Sequence, residues 1–126
     1  MGRNKTYDET EVFEALATLF ARNGYEATSI DQIATATGMK RGSIYQAFDS
    51  KANLFRLALE HALGTTTDND QLADLVFVGM WERAGIDPAV RTLAQQAITR
   101  LEDATGDSLG SIISGRLYTR AGLNQD

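Results

Sequence analysis

Residues Ile30 to Phe48 read IDQIATATGMKRGSIYQAF. Ala34 stands four residues before Gly38, and Ile44 follows six residues after it. Two short helices crossing at about 90–120° need a small side chain where their backbones approach, a residue tolerant of positive φ in the turn, and a buried aliphatic anchor on the second helix. Ala34, Gly38 and Ile44 fill these positions in order, with Ile33, Met39 and Ala47 at the adjoining apolar positions. The stretch is a helix-turn-helix pattern, and the second helix of such a unit lies in the DNA major groove.

The flanks extend the helical reading in both directions. Val12, Leu16, Leu19 and Phe20 recur at helical spacing, which predicts an amphipathic helix over about 9–23. Asn23-Gly24 stops it, the glycine supplying a left-handed cap. Ser29, with Gln32 three residues on, forms a capping-box pattern for a helix over about 30–37. The reading helix then spans about 41–48, Asp49 and Ser50 break it, and one of them caps a fourth helix near 51–63. Gly64 to Asn69 is polar and turn-rich, the best candidate for a boundary or flexible link. Beyond it the spacing predicts helices over about 70–84, from Asp87-Pro88 to about Ala104, and over about 108–122. Gly110, Gly115 and Gly122 weaken the last of these by about 1 kcal/mol each where interior, so it needs packing to persist.

Composition narrows the function classes. The 126 residues suit one modest domain or a small head with a small body, and they include no cysteine. That excludes disulfides and thiolate metal sites, and it fits a reducing cytoplasm. No stretch approaches the about 20 apolar residues of a membrane span, and the start lacks the apolar run of a signal peptide. A soluble, cytoplasmic protein is expected. The net charge of −5 opposes nucleic acid as a partner on its face. Most of that excess lies in the C-terminal part, however: residues 1–52 carry −1 and residues 53–126 carry −4. Arg3, Lys5, Lys40, Arg41 and Lys51 flank or sit on the reading unit, so DNA affinity should be modest and strongly salt-sensitive.

A longer string surrounds the motif. Phe13, Leu16-Ala17, Leu19-Phe20-Ala21, Gly24-Tyr25, Ala27-Thr28-Ser29-Ile30 and Ile33-Ala34 precede Gly38. Gly42-Ser43-Ile44-Tyr45, Phe48, Ser50-Lys51 and Leu54-Phe55 follow it without a gap. This string of about fifty residues resembles the N-terminal head of TetR-type repressors. The resemblance implies an all-α fold: a three-helix DNA-binding head over 1–50 and a helical effector and dimerisation body over 51–126. It implies a regulator, most often a repressor, that binds operator DNA as a homodimer and leaves it when a small-molecule effector occupies the body. Thr28 and Ser29 would then bond phosphate at the start of the second helix. Lys40, Arg41, Gly42 and Ser43 would open the reading helix against bases and phosphate. Tyr45 would place its hydroxyl on phosphate, Gln46 would face base edges, and Lys51 would meet the DNA backbone. Arg and Gln are able to make bidentate base contacts, whereas hydroxyls and Lys mainly position. Ala47 departs from the aromatic or polar residue of many relatives and removes one base contact. Family bodies extend through two further long helices, so the chain ending at Asp126 reads as a reduced member.

Other residue patterns carry less chemistry. Phe77, Met80, Trp81 and Tyr118 have the spacing of an effector-pocket lining, though such residues more often form plain core. His61 is the single histidine, expected partly exposed near a helix C-terminus where positive charge is tolerated. No metal site or cofactor is expected, because Asp68-Asn69-Asp70 lacks the glycine and terminal glutamate of a calcium loop. With no nucleophile–base pair and no phosphate loop, an enzyme is not expected. The rival from another class is a non-DNA-binding paralogue that pairs with a full-length relative and titrates it.

Overall fold

A computed structural model of the chain describes residues 7–123, and those residues form an all-α structure. Helices α1 (Glu9–Asn23), α2 (Ile30–Thr37) and α3 (Arg41–Phe48) make the head, and α4 (Lys51–Thr65) leads out of it. Then come α5 (Asn69–Val78), a single π turn over Gly79–Arg83, α6 (Pro88–Thr105) and α7 (Leu109–Ala121). The first three helices have the expected bounds.

Short polar residues set most of the helix starts. The Asp8 carboxylate accepts from the Thr10 and Glu11 amides, Ser50 from Asn53, Asp68 from Gln71, Asp87 from Ala89 and Val90, and Ser108 from Ser111. Ser29 and Gln32 close the expected capping box. Ser50 therefore caps α4, while Asp49 turns the chain out of α3 at φ 75°, ψ −53°, with the Ser50 amide donating to the Phe48 carbonyl at 2.8 Å. That is a γ-turn, which a non-glycine residue tolerates only under tertiary support. Asn53 supplies some of it by donating its side-chain amide to the same Phe48 carbonyl at 2.9 Å.

One hydrophobic cluster runs from Val12 to Leu101 and crosses the expected division at residues 50–51 without interruption. Leu16 and Phe20 of α1, Leu54, Phe55 and Leu59 of α4, and Leu72, Leu75 and Val76 of α5 are fully buried. Phe20 and Phe55 meet edge to face at 5.2 Å, the arrangement favoured by the ring quadrupoles.

Two expected features come out differently. The candidate link at Gly64 to Asn69 is shorter than expected: α4 continues through Gly64 and Thr65, α5 starts at Asn69, and residues 66–68 remain irregular. Arg100 of α6 donates to the Ala62, Leu63 and Thr66 carbonyls, satisfying the orphan acceptors of that helix end. The helix expected over 70–84 changes to a π turn at Gly79, where the Ala84 amide reaches the Gly79 carbonyl at 2.7 Å. An added Cβ at Gly79 would lie 3.4 Å from Val90 and 3.6 Å from Phe55, so α4 and α6 close in at this point.

The last helix lies at the surface. No residue of α7 is buried. Leu109, Ile112 and Ile113 pack partly against the cluster, and Arg116 forms a two-pronged pair with Asp74 of α5 at 3.0 and 3.1 Å. Gly122 lies just past the helix as its left-handed cap, so only Gly110 and Gly115 are interior. Because Phe55 ties α1 and α4 together at the centre of the cluster, Phe55→Ala is expected to lose about 3–5 kcal/mol. The check is a lowered urea midpoint with the helical circular-dichroism signal retained in water.

Candidate nucleic-acid interface

The helix-turn-helix forms as the spacing required. Gly38 adopts φ 75°, ψ 7° and its amide donates to the Ala34 carbonyl at 2.9 Å. The Thr37 hydroxyl donates to the Ile33 carbonyl at 2.8 Å and accepts from the Met39 amide at 3.3 Å, fixing the turn between the helices. Ile33, Met39, Ile44 and Phe48 are buried. The Phe48 ring lies 5.8 Å from both Tyr7 and Phe13.

Ile44 and Phe48, four residues apart, form the buried seam of α3. The rest of the helix faces outward: Arg41, Gly42, Ser43, Tyr45, Gln46 and also Ala47 are exposed, with Lys40 just before them. Ala47, expected among the apolar packing positions, lies off that seam and joins the open face instead. Among the described residues, α3 is the α-helix that starts without a side-chain cap. No neighbouring atom lies within 4 Å of where a Gly42 Cβ would stand. The first amides of α3 have no side-chain acceptor at the positive end of the helix dipole, a setting suited to phosphate. Asp31 of α2 holds the Arg41 guanidinium at 2.5 Å. This hydrogen bond and the carboxylate charge raise the Arg41 pKa above its ordinary value.

Ser29 and Gln32 are exposed at the start of α2. The other two residues expected on phosphate face inward. Thr28 is fully buried and its hydroxyl donates to the Gly24 carbonyl at 2.6 Å. The Lys51 ammonium donates to the carbonyls of Tyr25 at 3.2 Å, Glu26 at 3.5 Å and Thr28 at 3.1 Å. Both serve the connection between α1 and α2, where only the Gly24 amide still reaches a helical carbonyl, that of Phe20 at 2.8 Å. Arg3 and Lys5 lie outside the described residues.

The amides of that connection are met from the body. Tyr25 and Glu26 donate to the two carboxylate oxygens of Glu82, on the π turn, at 3.0 and 2.8 Å. Gly24 makes room for it at φ 89°, ψ 178°. This is a glycine conformation but not the left-handed cap expected there, and an added Cβ would lie 2.9 Å from the carboxylate. The Tyr25 ring packs on Phe20 and Phe55, with the Lys51 ammonium 4.6 Å and the Arg83 guanidinium 4.5 Å from its centroid. Burial pushes the Tyr25 phenol above its ordinary pKa, with Arg83 acting in the opposite sense. Sequence reading missed Glu82, which is 56 and 57 residues from its partners. The single local signal was the strained glycine that accommodates it.

The four residues expected around an effector do not converge. Trp81 is 78% exposed and Met80 47%, because the π turn swings both outward; Tyr118 is also exposed. Phe77 stacks on Trp81 at 6.0 Å. It alone of the four lines the cavity of about 200 Å³ between α1, α5 and α7, beside Ile113, Leu117, Arg116 and Arg120. His61 is partly exposed, its side chain at 16%, beside Phe13 and 4.0 Å from Glu14. Among the described residues there is no group of three or more His, Asp or Glu placed to hold a metal ion. No described helix is long and apolar enough to cross a membrane.

Residues 12–58 match the family described as bacterial regulatory proteins, tetR family. The chain carries a tetR-family head. It is similar to the HTH-type transcriptional repressor KstR2 of Rhodococcus jostii, 34% identical over 118 residues, covering 91% of this chain and 56% of that protein. The HTH-type transcriptional repressor ComR of Escherichia coli is 39% identical over 59 residues, 47% of this chain and 28% of its own length. The uncharacterized HTH-type transcriptional regulator YezE of Bacillus subtilis is 28% identical over 103 residues, 82% of this chain and 50% of its own. The chain thus spans about half or less of these relatives. No solved structure matches it.

In this tetR-type head the inward role of Lys51 has a measurable consequence. Lys51→Met keeps the apolar stem but removes the ammonium donor from three carbonyls, of which only that of Tyr25 keeps a second donor, the Thr28 amide at 3.2 Å, a loss of about 1–3 kcal/mol. A thermal melt should show it without any DNA present, whereas a lysine serving only phosphate would leave the melt unchanged.

Proposed function

We propose that the protein is a cytoplasmic, TetR-like transcriptional regulator, acting as a repressor, that reads operator DNA as a homodimer through α3. One observation carries the reading. The α3 seam of Ile44 and Phe48 is buried in the tetR-type head, and its remaining residues form a continuous open face headed by uncapped amides. On that face Arg41 and Gln46 have the donors and acceptors for base edges, and Lys40, Ser43 and Tyr45 have the reach and chemistry for phosphate. Ser29 adds a hydroxyl from the start of α2. Thr28 and Lys51 support the surface from behind.

Local charge agrees with this placement. Asp31 pairs with Arg41 at 2.5 Å and pre-orders the guanidinium until a base or phosphate replaces it. A dimer follows from the size of the surface, since one eight-residue helix reads only a half-site. The division of labour is a DNA-reading head over 1–50 and an effector and dimerisation body over 51–126. The cavity beside Phe77 is the place this reading gives to a small effector, and its about 200 Å³ suits a compact molecule.

The test is fluorescence anisotropy with duplexes tiling the DNA upstream of the protein's own gene. Arg41→Ala and Gln46→Ala are each expected to weaken the specific duplex by about 5- to 150-fold while hardly changing binding to random duplex. Lys40→Ala should weaken both alike and reduce the slope of log affinity against log salt by about one. Absence of any preference among the duplexes at low salt would sink the reading in favour of an interaction module.

A further inference from the structure

The geometry points to Glu82 as a positioning residue: a carboxylate of the body that holds the entry of the helix-turn-helix in one orientation. The inference deepens the proposed function and its DNA arm rests on it. Glu82 reaches across 57 residues of sequence to accept from two successive amides, Tyr25 at 3.0 Å and Glu26 at 2.8 Å, one on each oxygen. A carboxylate held by two neighbouring amides fixes direction as well as distance, because a rotation that keeps one bond breaks the other.

Three further features serve this contact. Gly24 has the open side and the φ of 89° that let the carboxylate approach to where a Cβ would lie 2.9 Å away. The next residue of the π turn, Arg83, lays its guanidinium 4.5 Å over the Tyr25 ring. The π turn itself is anchored from below by Gly79, pressed between Phe55 and Val90. From α7, Arg120 donates to the Ala21 and Arg22 carbonyls at 3.1 and 2.7 Å, gripping the other side of the same corner. The body therefore holds the end of α1 by its last carbonyls and the following segment by its first amides. Thr28 and Lys51 pass that order on, since Lys51 starts α4 and bonds to Tyr25, Glu26 and Thr28 immediately before the α2 cap. Glu82 also lines the cavity of about 200 Å³ with Phe77 and Arg120, so a molecule entering there meets the clamp directly.

The chain lacks cysteine, so introduced cysteines are unique labelling sites. Spin labels at Ala36→Cys on α2 and Gln96→Cys on α6, both exposed, report the distance between head and body by double electron–electron resonance. Labelled chains are diluted into unlabelled ones so that pairs within one chain dominate. The unsubstituted chain should give one narrow distance distribution. Glu82→Gln, which sets an NH2 group against an amide donor, should broaden it and speed hydrogen exchange at the Tyr25 and Glu26 amides by at least about tenfold. Gly24→Ala should do the same by displacing the carboxylate. Helical circular dichroism is recorded for each variant.

On the specific upstream duplex, Glu82→Gln should bind about tenfold more weakly if one molecule in ten keeps the docked orientation. Its affinity for random duplex should be unchanged. An unaltered distance distribution in Glu82→Gln overturns the clamp. A broadened distribution with unchanged specific affinity overturns its role in DNA reading. If the unsubstituted chain prefers no duplex, the DNA reading fails, and the distances and exchange rates alone decide for or against the clamp.

Discussion

The backbone of five non-helical residues, Gly24 to Thr28, is the constraint on which the arrangement depends. Two helices cannot turn a tight corner in a packed interior and leave peptide groups without partners, since each costs about 1–3 kcal/mol when buried. Here the carbonyls of Tyr25, Glu26 and Thr28 go to Lys51, the carbonyl of Gly24 to the Thr28 hydroxyl, and the amides of Tyr25 and Glu26 to Glu82. The donors come from the head and the start of α4, and the acceptor comes from the body. Head and body are consequently parts of one hydrogen-bonded object at this corner, in addition to sharing one apolar cluster.

That arrangement explains why so small a helical unit presents an open face. The α3 helix spends only Ile44 and Phe48 on packing, and its N-terminal amides have no side-chain acceptor. An eight-residue helix held by two side chains would be marginal alone. It is held by its surroundings: the Gly38 turn on one side, and the γ-turn at Asp49 with its Asn53 tie on the other. The fold concentrates its order at the ends of α3 and leaves the middle free for a partner. Arginines do similar work farther out, with Arg100 closing the end of α4 and Arg120 the end of α1.

Helix positions were legible because their signals are local. Ser29 and Asp87, and Ser50 as one of two candidates, mark starts by a hydrogen bond spanning two or three residues; Asp8, Asp68 and Ser108 cap in the same way, although the sequence reading did not single them out. Which side of α3 stays open was legible for the same reason, as Ile44 and Phe48 lie four apart and take the packed side. Thr28 and Lys51 were visible as important but not in which direction they point, because their partners belong to a turn whose path depends on packing. Trp81 and Met80 looked like pocket residues by spacing. The π turn shifted that spacing, and it arises from the close approach at Gly79, which no window of sequence reveals.

The sequence by itself determined the seven α-helices of the described residues, the helix-turn-helix and its tetR-type character, since capping, periodicity and the Ala34–Gly38–Ile44 spacing act within a few residues of chain. Only the tertiary structure decided that Lys51 and Thr28 turn inward, that Phe77 alone of its group lines a cavity, and that Glu82 grips the Tyr25 corner. Those outcomes depend on which backbone groups are left unpaired once the helices have packed. That is a property of the assembled fold, and residues 57 positions apart have no local means of announcing it.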